Sequence, residues 1–109
     1  MTPQILQQIQ RIVRCYPDTA PESATLPYSY YTYTRNAIHT KDGIAGYDGV
    51  LSVAVVAESK AQATALADSI IEALNGKEFG DIILLYSELS ENDMIDAGLS
   101  AIEINFNYF

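Results

Sequence analysis

The sequence has few of the side chains from which catalytic and metal sites are usually built. Its 109 residues include one cysteine, Cys15, one histidine, His39, and no tryptophan. A single cysteine excludes a disulfide within the chain, and we interpret it as a small buried hydrophobe. A zinc site needs three or four His, Cys or carboxylate ligands, and a nucleophile needs an adjacent base, usually histidine. The composition therefore predicts neither a zinc site nor nucleophilic catalysis.

The chain is also poor in positive charge. Six Lys and Arg residues stand against 14 Asp and Glu residues, which gives a formal net charge of -8. The six cations are scattered along the chain, so the sequence lacks the basic stripe that binds nucleic acid. An acidic surface keeps a protein dissolved and repels polyanions. We therefore expect no sequence-specific binding of nucleic acid.

Long hydrophobic runs are absent as well. The longest apolar runs, near residues 53–57 and 82–85, are much too short to cross a bilayer. The N-terminus lacks the basic start and compact apolar stretch of a secretory signal. Since the length is that of one domain, we expect a single domain over residues 1–109, synthesis in a cytoplasm and no membrane partner.

Two further patterns deserve comparison with known ligand sites. Gly43, Gly46 and Gly49 recur at every third position, but a phosphate cradle joins a strand to a helix N-terminus, and these glycines join two predicted strands. The acidic cluster of Glu91, Asp93 and Asp96 lacks the glycine and closing glutamate of a calcium loop. We interpret the first pattern as a flexible loop and the second as a polar turn. The sequence thus predicts no enzyme activity, no cofactor and no metal.

Two segments have the periodicity of amphipathic helices. The first begins at Thr2 and Pro3 and carries an apolar stripe as far as Val13. The second covers about residues 59–75 and begins with the capping box Ser-x-x-Gln. Gly76 follows it, at the position where a left-handed residue often ends a helix.

Four segments favour strands, over residues 28–34, 50–57, 82–89 and 99–109. The last of them alternates strictly between apolar and polar residues, as a half-buried strand does. Three prolines predict a loop over residues 16–27. We interpret residues 35–48 as a long connection that protrudes from an antiparallel hairpin, and residues 90–98 as a turn.

The resulting order, α-β-β-α-β-β, predicts an α+β domain. We expect a four-stranded, mostly antiparallel sheet with two helices packed on one face and a long hairpin arm between the first two strands. Two helices cover only one side of such a sheet, yet Val50, Val56 and tyrosines of both parities also point to the other side. Exposed apolar patches usually mark interfaces, so we predict oligomerisation through the second sheet face or a sheet edge.

Several stretches, taken in order, form a recognisable pattern: "LPYSYYTY" at the first strand, "VLSVAVVAESKAQATALADSIIEALNG" as a strand–helix unit and "AIEINFNYF" at the end. Together with the N-terminal helix and the glycine-containing arm, they resemble the tail-completion or tail-terminator proteins of long-tailed bacteriophages and prophages. The resemblance extends from about residue 5 to residue 109 and is strongest over residues 50–76.

The resemblance implies a structural protein of the virion rather than an enzyme. It implies a ring, commonly of six subunits, on the end of the tail tube, assembled in the host cytoplasm. Such a ring stops the tube from polymerising, binds the head-side connector and lets DNA pass through its centre. The implied partners are thus other copies of the chain, the tail tube protein and the connector. An acidic chain could line that channel without holding DNA.

A ring needs two different contact patches on each subunit, and the pattern suggests candidates for both. Those for subunit contact are Tyr31, Tyr33, Val50 and Val56. Those on the arm, which would reach a neighbour or the tail tube, are Arg35, His39, Lys41 and Tyr47.

Two other functions remain open at this point. Another phage neck component, such as a head-closure or connector protein, would share a small α+β architecture and ring assembly. A small dimeric regulatory domain of α+β type could instead bind a ligand between its subunits.

Overall fold

The computed structural model describes residues 3–18, 25–80, 82–94 and 99–108. These residues form two helices and six strands. In chain order the elements are α1 (Pro3–Gln10), β1 (Cys15–Pro17), β2 (Tyr28–Thr40), β3 (Gly43–Ala57), α2 (Lys60–Leu74), β4 (Glu78–Phe79), β5 (Ile82–Met94) and β6 (Leu99–Tyr108).

The strands form one mixed sheet in the order β1-β2-β3-β6-β5-β4. β1 pairs with β2 in parallel, and the other four pairings are antiparallel. β6 ends where Tyr108 pairs with Gly49, so residues 43–48 of β3 pair only with β2. The β2–β3 hairpin therefore continues beyond the sheet, and the molecule is elongated, 52 × 24 × 23 Å.

The hydrophobic core lies between the helices and one face of the sheet. On β3 and β6 every second side chain points to this face and is buried, as the alternation of strands requires. Ile5 and Ile9 of α1 join the core, and Ala63 and Ala67 let α2 lie close to the sheet because their side chains are small. The largest side chains that β3 and β6 bury completely on this face are Leu51, Val53, Val55, Ile102, Ile104 and Phe106.

The second helix confirms its predicted start and end. The Ser59 side chain accepts a hydrogen bond from the backbone N–H of Gln62 at 3.2 Å, so it caps the first turn of α2. Gly76, just after the helix, has a φ of 73°, the left-handed conformation that glycine adopts without steric cost. The predicted cap at Thr2 lies outside the described residues.

The predicted fold class is wrong in the number and order of its strands. The structure is mostly β, with the order α-β-β-β-α-β-β-β rather than α-β-β-α-β-β. The two extra strands, β1 and β4, have three and two residues, which is too few to produce a periodic pattern. β1 overlaps the start of the segment predicted as a loop, and Pro17 is tolerated because it ends an edge strand.

The side chain of Gln10 completes the outer edge of β1. Its Nε2 donates to the carbonyl oxygen of Cys15 at 2.8 Å, and its Oε1 accepts from the N–H of Cys15 at 3.1 Å. An amide side chain thus takes the place of a neighbouring strand. Open edges invite pairing with other chains, so this contact closes the sheet at β1.

The predicted connection over residues 35–48 is a hairpin of two strands. Thr40 pairs with Gly43, which leaves only Lys41 and Asp42 in the turn. The Thr40 hydroxyl accepts from the N–H of Asp42 and donates to the carbonyl of Gly43. The sequence hides these strands because most of the described side chains of the hairpin are exposed on both of its faces, and an exposed strand needs no apolar alternation.

The predicted turn over residues 90–98 is also corrected, because β5 continues as far as Met94. Residues 95–98 lie outside the described part of the chain. A bulge between Tyr86 and Glu88 changes the alternation of β5. Leu84 and Leu89 therefore face the same side although they are five residues apart, and the simple period of two is lost.

Candidate assembly surfaces

Among the described residues, the structure offers little that resembles a site for a small ligand. An apolar cavity of about 10 Å³ lies between α1 and the sheet, lined by Ile5, Tyr33, Leu51, Ile82, Leu84 and Tyr108. It has room for a single water molecule at most. No group of three or more His, Cys, Asp or Glu side chains in the described ranges could hold a metal ion. None of the helices described there has the length and apolar character that a membrane span requires.

Cys15 is buried in the core, and its side chain is 5% exposed. Burial raises the pKa of the Cys15 thiol above its ordinary value of 9.0, and a hydrogen bond with Ser29 partly opposes this change. A thiol reacts as the thiolate. Cys15 is therefore a packing residue of the core, and its thiol has low reactivity.

We expect Cys15 to react with a disulfide reagent at least about tenfold more slowly in the native protein than after unfolding in guanidinium chloride. The folded state also holds the thiol proton more tightly than the unfolded state. The stability contributed by the protonated Cys15 thiol is thus fully present below the pKa that the thiol has in the unfolded chain. It is lost as the pH rises through the pKa of the thiol in the folded protein. Unfolding curves on both sides of pH 9.0 should show this loss in the wild type and a smaller loss in Cys15→Ala. Equal losses would contradict it.

The arm, defined as residues 35–48, extends about 20 Å beyond the end of β6, at about 3.3 Å per residue. Arg35, His39 and Lys41 all lie on it and are exposed. Ile38 and Ile44 are 46% and 55% exposed, the two most exposed large apolar side chains described. Tyr47 pairs with Ala37 in the arm, and its side chain is not among those the structure describes.

A cluster of aromatic and small residues fixes the arm to the sheet. The rings of Tyr33 and Tyr108 stack with centroids 5.5 Å apart, and the Tyr108 hydroxyl donates to the carbonyl oxygen of Thr34. Burial raises the pKa of Tyr108, and the neighbouring Tyr33 raises it further. The Tyr108 ring occupies the space that a Cβ on Gly49 would need. Glycine is therefore required at the base of the arm.

The four residues predicted for subunit contact do not share one face. Tyr31 and Tyr33 pair with Val53 and Leu51 and lie on the helix side of the sheet. Val50 lies on the opposite side and is 37% exposed, whereas Val56 is only 1% exposed. Their role in subunit contact remains a prediction, and Val56 has almost no surface to contribute to it.

The sheet face away from the helices is mixed rather than apolar. A polar row crosses its centre, where the Ser52 hydroxyl donates to Asn105 Oδ1 at 2.6 Å and Asn105 Nδ2 donates to Glu88 Oε1 at 3.3 Å. The row joins β3, β6 and β5. The surplus of apolar residues expected on this face is therefore smaller than the sequence suggests.

The outer edge of β2 is covered over only part of its length. β1 pairs with residues 29–31. In the described part of the chain, no strand covers the outer edge of residues 32–40, which we call the β2 edge. Its sequence contains Arg35 and His39 and no carboxylate.

The outer edge of β5, at the other end of the sheet, is also covered over only part of its length. β4 pairs with Ile82 and Ile83. Beyond it, the Leu84 carbonyl accepts from Gly76 N–H at 2.7 Å, and Asn75 Oδ1 accepts from Tyr86 N–H at 2.9 Å. Within the described ranges, no strand covers the outer edge of residues 87–94, which we call the β5 edge.

The β5 edge is acidic. Its eight residues include three carboxylates and no Lys or Arg, and Glu91 forms an exposed ion pair with Lys60 of α2 at 2.9 Å. Sequence reasoning did not single out Glu88 and interpreted Glu91 as part of a polar turn, so it missed this acidic edge. The signal was the local excess of carboxylates, which acquires meaning only once β5 is known to lie at an edge.

Comparison with solved structures finds a similar fold over nearly the whole chain. A chain in the solved "Virion of native gene transfer agent (GTA) particle" has a TM-score of 0.75 to this protein, with 18% identity over 96% of this chain and 87% of that chain. The two chains share a fold. At such low identity the similarity concerns the fold alone. No protein-family model matches the sequence, and no curated protein matches it.

Proposed function

We propose that this protein is a structural component of a virion, a tail-terminator or tail-completion protein. Its ring would cap the tail tube and join it to the head-side connector. The observation that supports this most is the virion chain with the same fold, because the alignment includes nearly all of both chains. The sequence resemblance adds the position at the tail end.

The described surfaces suit binding rather than chemistry. The arm projects from the sheet, and a two-stranded hairpin is only marginally stable in water by itself. Two apolar residues near its tip, Ile38 and Ile44, are about half exposed. Contact with another protein would bury these side chains and hold the arm in place.

The charge of the chain is distributed in a way that fits a channel for DNA. Residues 1–48 contain four cations and four carboxylates, so the whole net charge of -8 belongs to residues 49–109. A lumen lined by that acidic part would let a polyanion slide through without binding. A basic lumen in an experimental structure of the ring would contradict this part of the proposal.

The arm provides the most direct test. We expect that replacing residues 37–47 with Asn-Gly, which favours a two-residue hairpin turn, will preserve the fold but abolish assembly and tail capping. None of the arm side chains that the structure describes belongs to the core, so the thermal unfolding midpoint should change little. Particles complemented only with this variant should show overlong tails without heads in electron micrographs.

The control is Asp42→Asn, which keeps the full length of the arm and should cap tails normally. If the shortened variant also capped tails normally, the arm would have no role in assembly. Gold labelling of the chain on intact particles tests its position. Label at the tail end supports a terminator, whereas label elsewhere in the neck would favour a head-closure or connector protein.

A further inference from the structure

The β2 edge and the β5 edge are complementary in strand direction and in charge. We propose that copies of this chain assemble head to tail, with the β2 edge of one copy pairing along the β5 edge of the next to form a continuous antiparallel sheet. The inference rests on the ring of the proposed function and specifies the surfaces that build it. The partner of each edge is thus a second copy of this chain.

The direction of the strands allows this pairing. β2, β3, β6 and β5 are neighbours, and each pairing between them is antiparallel. Three reversals leave β2 and β5 running in opposite directions. When a second copy is placed beside the first in the same orientation, its β2 therefore lies antiparallel to β5. A contact between two different patches is the kind that generates rings.

The backbone groups at the two edges also correspond. On β2, Ser29 N–H donates to Arg14 and the Tyr31 carbonyl accepts from Asp18, so alternation directs the backbone groups of Tyr33 and Arg35 outward. On β5, Leu84 directs both backbone groups outward, to Lys77 and Gly76. The bulge before Glu88 shifts this alternation by one residue, which directs the groups of Glu91 outward.

Charge selects a head-to-tail contact over a two-fold one. A symmetric pairing of two β5 edges would place carboxylates against carboxylates, and a symmetric pairing of two β2 edges would bring together two Arg35 residues with no carboxylate on either edge. Opposite charges directly across a strand pair stabilise it, whereas like charges destabilise it. Charged residues on an edge can also serve only to prevent aggregation, but that role does not explain a complementary edge on the same sheet.

One register satisfies both charge and side-chain direction. It places Arg35 opposite Glu91, both on the helix side of the sheet, because Arg35 pairs with Gly49 and Glu91 with Ile102. Asn36 then lies opposite Ser90, and both point to the other side. The Lys60–Glu91 ion pair would become a three-residue charge cluster that includes Arg35 of the next copy.

The same register implies a stagger between copies. In one subunit Glu91 lies level with Ser29, six residues before Arg35. Six residues along a strand are about 20 Å, and four strands side by side are about 19 Å wide. The strands would therefore tilt by about 45° to the ring axis, close to the tilt of closed β-barrels. The contact is thus compatible with closure.

Engineered disulfides test the register directly. In a Cys15→Ala background, Asn36→Cys and Ser90→Cys are made on separate chains, and the full-length proteins are oxidised alone and mixed. Within one subunit Ser90 lies level with Tyr30, three strands away from Asn36 and six residues along the strand, roughly 24 Å in all, so a disulfide can form only between copies. We expect cross-linked dimers in the mixture and at least about tenfold less product from either variant alone.

Charge exchange provides the second readout. Arg35→Glu in the chain that carries Asn36→Cys should lower the yield of mixed dimer at least about tenfold, and Glu91→Arg in the partner chain should restore it. Glu72→Gln, at an exposed carboxylate of α2 that belongs to neither edge, is the control and should leave the yield unchanged. Circular dichroism confirms that each variant is folded.

The outcomes separate this inference from the proposed function. Mixed dimers that respond to charge exchange support edge pairing. Equal cross-linking of single variants would show a two-fold contact, and absence of mixed dimers would show that the edges do not meet; either result overturns the inference. If the wild type nevertheless capped tails, the proposed function would stand with a different interface. If mixed dimers formed but the chain were absent from particles, the edge contact would stand and the proposed function would be refuted.

Discussion

Leu84→Ala is expected to lower the free energy of unfolding by about 2–5 kcal/mol, the cost of deleting a buried leucine side chain and leaving a cavity. Leu84 is 1% exposed and packs into the core. The same substitution at its neighbour, Leu85, should cost less than about 1 kcal/mol, because Leu85 is 44% exposed on the other side of β5. The two variants are a matched pair because both replace a leucine of β5 with alanine.

Urea unfolding followed by circular dichroism measures both changes. The midpoint should fall for Leu84→Ala while the slope stays that of the wild type. A domain of this size has a total stability of about 5–15 kcal/mol, so Leu84→Ala removes a large part of it. Equal losses at both positions, or a larger loss at Leu85, would show that β5 is displaced by one residue, since such a slip exchanges the two faces of a strand.

Gly49→Ala is expected to destabilise the protein by about 2–4 kcal/mol, the sum of an overpacked site, a lost aromatic contact and a lost hydrogen bond. A Cβ at this position would overlap the carbonyl oxygen of Thr34 and the ring of Tyr108. Tyr108 would have to leave its stack with Tyr33 and release Thr34. The arm would then lose its attachment to the sheet.

Gly43→Ala is the control for this substitution. Gly43 has a φ of 117° and no atom within 4 Å of the position of a new Cβ, so its replacement costs only backbone strain, about 1–3 kcal/mol and confined to the arm. Hydrogen exchange should show faster exchange around Thr34 and Tyr108 in Gly49→Ala alone. In a Tyr108→Leu background, Gly49→Ala should cost less. The same cost in both backgrounds would mean that the ring does not cause the overlap.

The fold was predictable where one face of an element is buried and the other exposed. α2 and β6 satisfy this condition, and their ranges agree with the periodicity to within a residue or two. β1 and β4 are too short to have a period, and the extension of β2 and β3 into the arm has no buried face. In β5 the bulge after Tyr86 breaks the alternation.

The candidate surfaces were predictable to a lesser degree. The glycines and mixed charge of residues 35–48 identified the arm as a feature of interest, although as a loop rather than two paired strands. The assignment of Val50 and Val56 assumed an apolar second face, and the row from Ser52 to Glu88 makes that face partly polar. The acidic β5 edge can be recognised only when the strand order is known, and no local sequence pattern indicates which strand lies at the edge of a sheet.

The position of β6 has a consequence for the folding reaction. Among the described strands, β3 and β5 do not pair with each other and each pairs with β6, so these two halves of the sheet are joined through β6, which follows both of them in sequence. The β2–β3 hairpin can form early from contacts that are local in sequence. Closure of the β3–β6 pairing must bring together segments about fifty residues apart, a non-local step that slows folding. A chain lacking residues 99–108 would have two separate sheet fragments and two newly open edges, one on β3 and one on β5.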